Sequence, residues 1–279
     1  MTIPIQNCCG RLSLALGFFF LNILAFGQSS ISFSASDPAV MQTRMAVSGE
    51  SYFFYGGARF YALRFGYFYG LRNEQHQVGM SLPFVHTIFN DDYSGFENTT
   101  GIGDLKMSYL YVPYRNKNTV GVERVSLAME VTAPTGEYQL GRGAGTWLYK
   151  PGLIFTMRSS SEIAFYPEMR FQISGGDANS LGGSNGLPDP NNPDKEKRLQ
   201  NLSVSIPMVA QVKDWDGWFS LNLLYDHSFT EQTSFLFLRT DFGKMIGTNT
   251  SAALEITKFI AGQPRLNVMV QANVLFFLR

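Results

Sequence analysis

Apolar and polar residues alternate with a period of two along most of this chain. The last fourteen residues show it most plainly. Leu266, Val268, Val270, Ala272, Val274, Phe276 and Leu278 share one parity, while Asn267, Gln271, Asn273 and Arg279 share the other. Such a segment is a β-strand with one oily face and one mostly polar face. The same pattern predicts strands over 61–69, 78–84, 105–111, 125–131, 153–157, 163–171, 202–212, 221–225 and 252–256. The stretch 234–243 reads as a strand of undefined parity, and 41–55, ending in Tyr52-Phe53-Phe54-Tyr55, as a weaker first strand. The chain therefore carries eleven strands, or twelve with 41–55.

The connections decide between these counts. With 41–55 included, the long connections at 90–101, 134–146 and 175–198 follow strands three, five and seven. The connections around Asn73, Asn116, Ser160, Asp214 and Thr248 are short and follow the even-numbered strands. Long loops on one side and tight turns on the other are the organisation of an outer-membrane barrel with an even strand number. The expected fold is all-β: a transmembrane, antiparallel up-and-down β-barrel of about twelve strands. A secreted β-sandwich also alternates. The barrel is favoured by strands longer than the usual five or six residues, by the segregation of the loops, and by charges on the face opposite the oily one.

The N-terminus adds a destination. Arg11 precedes an apolar run from Leu12 to Phe26, and Ala25-Phe26-Gly27 offers small residues for cleavage before Gln28. The run is shorter than the ~20 residues of a spanning helix, so 1–27 reads as a signal peptide. Residues 28–40 read as a flexible leader and 41–279 as the barrel. Removing 27 of 279 residues leaves 252, and both cysteines, Cys8 and Cys9, leave with the signal. The remainder has no disulfide and no thiolate chemistry. Loss of Arg11 leaves 21 basic against 22 acidic side chains, a formal charge of −1 that gives nucleic acid nothing to bind. No later segment offers 18 consecutive apolar residues, so an exported, membrane-bound chain of this kind must cross as a closed barrel.

The face opposite the oily one is the candidate lumen. It carries Arg64, Asp104, Lys106, Arg124, Glu130, Glu162, Glu168 and Arg170, a set of mixed sign. Leu110, Ile154, Val209, Leu224, Leu275 and Phe277 share that parity, and a general water-filled porin has little use for them. The expectation is an apolar patch beside a charged network, lining a path for a hydrophobic solute. Structural packing inside a narrow barrel is the plainer alternative.

Candidate chemistry is sparse. His76, His86 and His227 lack metal-ligand spacing. Asp226, His227 and Ser228 suit a barrel hydrolase only if such groups meet in space; interfacial polar residues are the simpler reading. Gly141-Arg142-Gly143-Ala144-Gly145 lacks the Lys-Ser/Thr ending of a phosphate loop. Asp177, Asp189 and Asp194 lack calcium-loop spacing. No catalytic residue, metal or cofactor is expected.

Two stretches point to a family. One is Gly101-Ile102-Gly103-Asp104-Leu105. The other is Glu130-Val131-Thr132-Ala133-Pro134-Thr135-Gly136, followed by Leu140-Gly141-Arg142-Gly143, Trp147 and Pro151-Gly152-Leu153. Over about 101–155 the chain resembles the outer-membrane transporters associated with the meta-pathway of phenol degradation. That resemblance implies a barrel that passes hydrophobic or aromatic compounds. The expected partners are outer-membrane lipid, a small hydrophobic solute and, during biogenesis, the barrel assembly machinery of a Gram-negative bacterium. A plugged barrel with a structural or adhesive role, and a lipid-modifying barrel enzyme, stay open as alternatives.

Overall fold

The computed structural model describes residues 35–71, 74–89, 98–116, 120–175, 199–263 and 266–278. The expected signal peptide and all of 176–198, with Asp177, Asp189 and Asp194, lie outside the described residues.

Fourteen strand segments form one antiparallel sheet. In chain order they are β1 (Arg44–Phe54), β2 (Arg59–Gly70), β3 (His76–Ile88), β4 (Thr99–Ile102), β5 (Leu105–Arg115), β6 (Gly121–Ala133), β7 (Leu148–Arg158), β8 (Ile163–Phe165), β9 (Glu168–Ser174), β10 (Gln200–Val212), β11 (Gly217–Ser228), β12 (Thr233–Met245), β13 (Thr250–Gly262) and β14 (Leu266–Phe277). β1 pairs with β2 on one side and with β14 on the other, so that Arg44 sits opposite both Phe68 and Phe277. The sheet closes on itself, and no edge strand is left to template aggregation.

Two pairs of segments are single staves with a break, which makes the barrel twelve-stranded. β4 and β5 both pair with β3 and are separated only by Gly103-Asp104. β8 and β9 both lie between β7 and β10 and are separated by Tyr166-Pro167. Pro167 has no N–H to give the ladder, although its carbonyl still accepts from Phe155 N at 2.9 Å. The weak 41–55 stretch is a full stave. Its signal is faint because Gly49 and Ser51 stand on the outward face, where the other strands carry large apolar side chains.

The parities follow the alternation. Leu63, Phe65, Tyr67 and Tyr69 on β2, Val78, Met80 and Phe84 on β3, and Phe219, Leu221, Leu223 and Tyr225 on β11 are all exposed. An apolar belt around a closed barrel is a lipid-facing surface. A twelve-residue strand rising ~3.3 Å per residue and tilted by ~40° covers about 30 Å, the thickness of a bilayer core. β12, undefined in sequence, turns Phe237, Asp241 and Met245 inward and Phe242 outward. Among the described residues no helix is long and apolar enough to cross a membrane.

The packed interior sits at the end of the barrel that carries the short turns. Leu110, Val112, Ala128 and Ile154 form one cluster with Ala39 and Met41. Ala164, Tyr166, Val209 and Trp218 form a second. Met245 and Phe277 form a third with Val40, and Leu275 packs against it. Residues 39–41 of the leader thus lie inside the barrel end. The expectation of a flexible leader to residue 40 fails for its described part, because burying Ala39, Val40 and Met41 removes apolar surface from water.

Candidate functional site

The lumen has three levels. The floor, at the turn end, is the packed region just described, and polar groups grip the leader there. Arg124 forms an ion pair with Asp37 and donates to the Ala39 carbonyl at 3.2 Å. Arg44 Nη1 and Gln77 Nε2 donate to the Val40 carbonyl at 2.9 and 2.7 Å. A chain entering a barrel mouth must have its backbone groups satisfied, and these inward side chains supply the partners.

Above the floor runs a belt of charge. Arg64 holds Glu50 through two hydrogen bonds, 2.7 and 3.1 Å long, and Tyr52 and Ser48 donate to the same carboxylate at 2.7 and 3.1 Å. Lys106 lies 3.6 Å from Glu130. Arg170 pairs with Glu168, and Arg239 lies 3.2 Å from Glu255. The order of strands sorts these charges. β5, β6, β7 and β9 carry Lys106, Lys150 and Arg170 against Glu130 and Glu168. On the opposite side, β12, β13, β1 and β2 carry Asp241, Glu255 and Glu50 against Arg239 and Arg64. One wall has a surplus cation and the other a surplus anion, so a field crosses the lumen between them.

The third level opens to the long-loop end. It is a vestibule of about 280 Å³ whose lining includes Lys150, Asn201, Ser203, Asp226, Phe235 and Phe237.

The residues expected in the lumen separate into groups. Arg64, Lys106, Glu130, Glu168 and Arg170 stand in the belt, and Arg124 stands below it on the leader. Leu275 and Phe277 belong to the floor. Glu162 is exposed in the turn between β7 and β8, its carbonyl still accepting from Gln211 N on β10 at 2.8 Å. Asp104 stands at the break between β4 and β5. Its carboxylate accepts from the backbone N–H groups of Gly136 and Ala144 at 2.9 and 2.6 Å, pinning the 134–147 loop.

That arrangement explains the glycine-rich stretches. A Cβ at Gly101 would strike the Arg142 guanidinium, one at Gly136 would lie 2.4 Å from the Arg142 carbonyl, and one at Gly143 would lie 2.4 Å from Asp104 Oδ1. The glycines let the loop lie against the broken stave β4–β5. Sequence reasoning missed Glu50, Arg239 and Asp37, which lie on the faint strand, on the strand of undefined parity and on the leader.

The three histidines serve alike. Nδ1 of His76, His86 and His227 lies 2.7, 2.7 and 2.9 Å from the hydroxyls of Tyr109, Thr100 and Ser234. His76 also stacks on Tyr111 with centroids 4.8 Å apart. The repetition at both ends of the barrel is the behaviour of interfacial polar groups. Asp226, His227 and Ser228 all border the vestibule, but His227 Nδ1 turns to the Ser234 hydroxyl and its ring stacks on the exposed Tyr225. Among the described residues no His, Cys, Asp or Glu cluster is fit to hold a metal.

Geometry and topology together define a closed, twelve-stranded antiparallel barrel of the outer-membrane porin type. Residues 38–184 match the family described as "Putative MetA-pathway of phenol degradation", and the chain belongs to that family. An outer membrane channel from Pseudomonas putida F1 has a similar fold, with 14% identity and a TM-score of 0.65 over 87% of this chain and 99% of that one. The NanC porin is similar at 11% identity and a TM-score of 0.57, over 84% of this chain and all (100%) of that one. The KdgM porin matches at 8% identity and a TM-score of 0.52, over 84% of this chain and 99% of that one. No curated protein sequence matches the chain.

Proposed function

We propose that the protein is an outer-membrane channel of a Gram-negative bacterium for small hydrophobic, notably aromatic, compounds, and that it performs no chemistry. The observation that carries this reading is the layering of the lumen. A vestibule edged with Phe235 and Phe237 leads past a charged belt to an apolar floor of Leu110, Val112, Ile154 and Trp218. Membership of a family linked to phenol degradation supports the aromatic cargo, and the porin-like fold supports the outer membrane. On this reading 1–27 is a signal peptide removed on export, the barrel assembly machinery inserts the chain, and membrane lipid covers the exposed apolar belt.

The leader favours a second reading, a plugged barrel with a structural or adhesive role, because residues 37–41 occupy the floor. Flux separates the two. Vesicles with a lipopolysaccharide outer leaflet and carrying the channel take up toluene faster than empty ones and discriminate against arabinose. A plugged barrel shows neither effect.

A further inference from the structure

The vestibule holds polar groups that the barrel itself does not satisfy. Most lumen charges are paired within the wall, as with Glu50–Arg64 and Glu168–Arg170. Lys150 and Asp226 border the same cavity and attract each other across it without a direct ion pair or hydrogen bond among the described residues, and Lys150 also feels the Glu130 carboxylate opposite it on β6. Asn201 lines it too, and its buried Oδ1 has no hydrogen-bond partner. Phe235 and Phe237 supply an apolar side, their rings 6.4 Å apart and 21° from parallel. One ammonium and two acceptors, each without a direct hydrogen bond among the described residues, and an aromatic face thus border one space of about 280 Å³, close to the lower end of the range for small-molecule sites.

We propose that this vestibule is a binding site for single-ring aromatic acids bearing a ring hydroxyl. The inference rests on the channel reading and names the solute class it serves. Lys150 donates to the carboxylate, and its charge belongs to the wall with the surplus cation. Asp226 and Asn201, on the neighbouring strands β11 and β10, accept from the hydroxyl. The ring lies against Phe235 and Phe237. β7, which carries Lys150, stands three inter-strand spacings of ~4.8 Å from β11 along a curved wall, so the two polar ends converge across a gap. A bare hydrocarbon meets the aromatic side and passes on without being held, because it leaves the polar groups without partners, and such a site binds more tightly the ligand that supplies them.

The test is calorimetric titration of the full mature chain in detergent with 4-hydroxybenzoate and with 4-hydroxybenzamide, which keeps the ring and hydroxyl but loses the charge. The wild type binds the acid about tenfold more tightly than the amide. Lys150→Met brings that ratio to about one, and Lys150→Arg preserves it. Heat-modifiable migration of each variant in gels verifies the barrel. An equal affinity for both ligands in the wild type, or a preference that survives Lys150→Met, overturns the proposal. Binding without flux of any aromatic solute leaves the site standing and removes the channel reading instead.

Discussion

Glu50 concentrates the chemistry of the lumen in one carboxylate. It is held by Arg64, Tyr52 and Ser48 and is almost wholly shielded, with 4% of its side chain exposed. Replacing it by alanine leaves the Arg64 guanidinium in the wall without its counter-charge. Removing one partner of a buried pair costs about 3–5 kcal/mol, and lumen water lowers this toward about 2. Glu50→Ala therefore loses its folded gel mobility in measurably less urea than the wild type; an unchanged midpoint would show that the pair contributes little. Gly243 makes a complementary demand for space. A Cβ there would come within 2.1 Å of Trp218 Cζ2. Gly243→Ala displaces the indole from the floor, costs about 1–3 kcal/mol by overpacking, and shifts tryptophan emission to the red. Neither requirement is legible from spacing. Glu50 lies on a strand whose outward residues are too small to announce it, and the contact of Gly243 with Trp218 exists only once β11 and β12 pair.

At the scale of elements, the staves were readable and their interruptions were not. Period-two alternation marks β2, β3, β11 and β14 because lipid demands apolar residues at every outward position while the lumen tolerates variety. β12 hides its parity because Phe235, Leu236, Phe237 and Leu238 are apolar on both faces. The Tyr166-Pro167 break preserves the alternation on either side, so the pattern runs through it without a sign. At Gly103-Asp104 the outward parity switches, from Thr100 and Ile102 to Met107 and Tyr109, but β4 is only four residues long and too short to announce it. The Gly103-Asp104 break has a use. Asp104 leaves the ladder and ties the 134–147 loop through two backbone N–H groups. Asp104→Ala frees that loop, and trypsin cleaves after Arg142 several-fold faster in the folded barrel. Equal cleavage rates in the two proteins would mean that the Arg142–Glu137 pair alone holds the loop.

For the whole molecule, the leader is the element that composition concealed. A run rich in serine reads as solvated chain, yet Ala39, Val40 and Met41 are buried, and Arg124, Arg44 and Gln77 bind their backbone and Asp37. The groups that hold it are spread over β1, β3 and β6, so no local pattern pairs them with the leader. Passage through the barrel requires this segment to shift or to leave a gap beside it. A chain lacking residues 28–41 conducts ions across a planar bilayer several-fold better than the full mature chain. Identical conductance would place the constriction elsewhere, in the belt or the outer loops.

The central claim is that this barrel passes small aromatic molecules, and flux tests it most directly. Vesicles with a lipopolysaccharide outer leaflet, with and without the purified protein, are exposed to toluene and to arabinose and their uptake rates compared. The account predicts protein-dependent entry of toluene well above that of arabinose. Equal rates for the two solutes, or no protein-dependent entry of either, would contradict it.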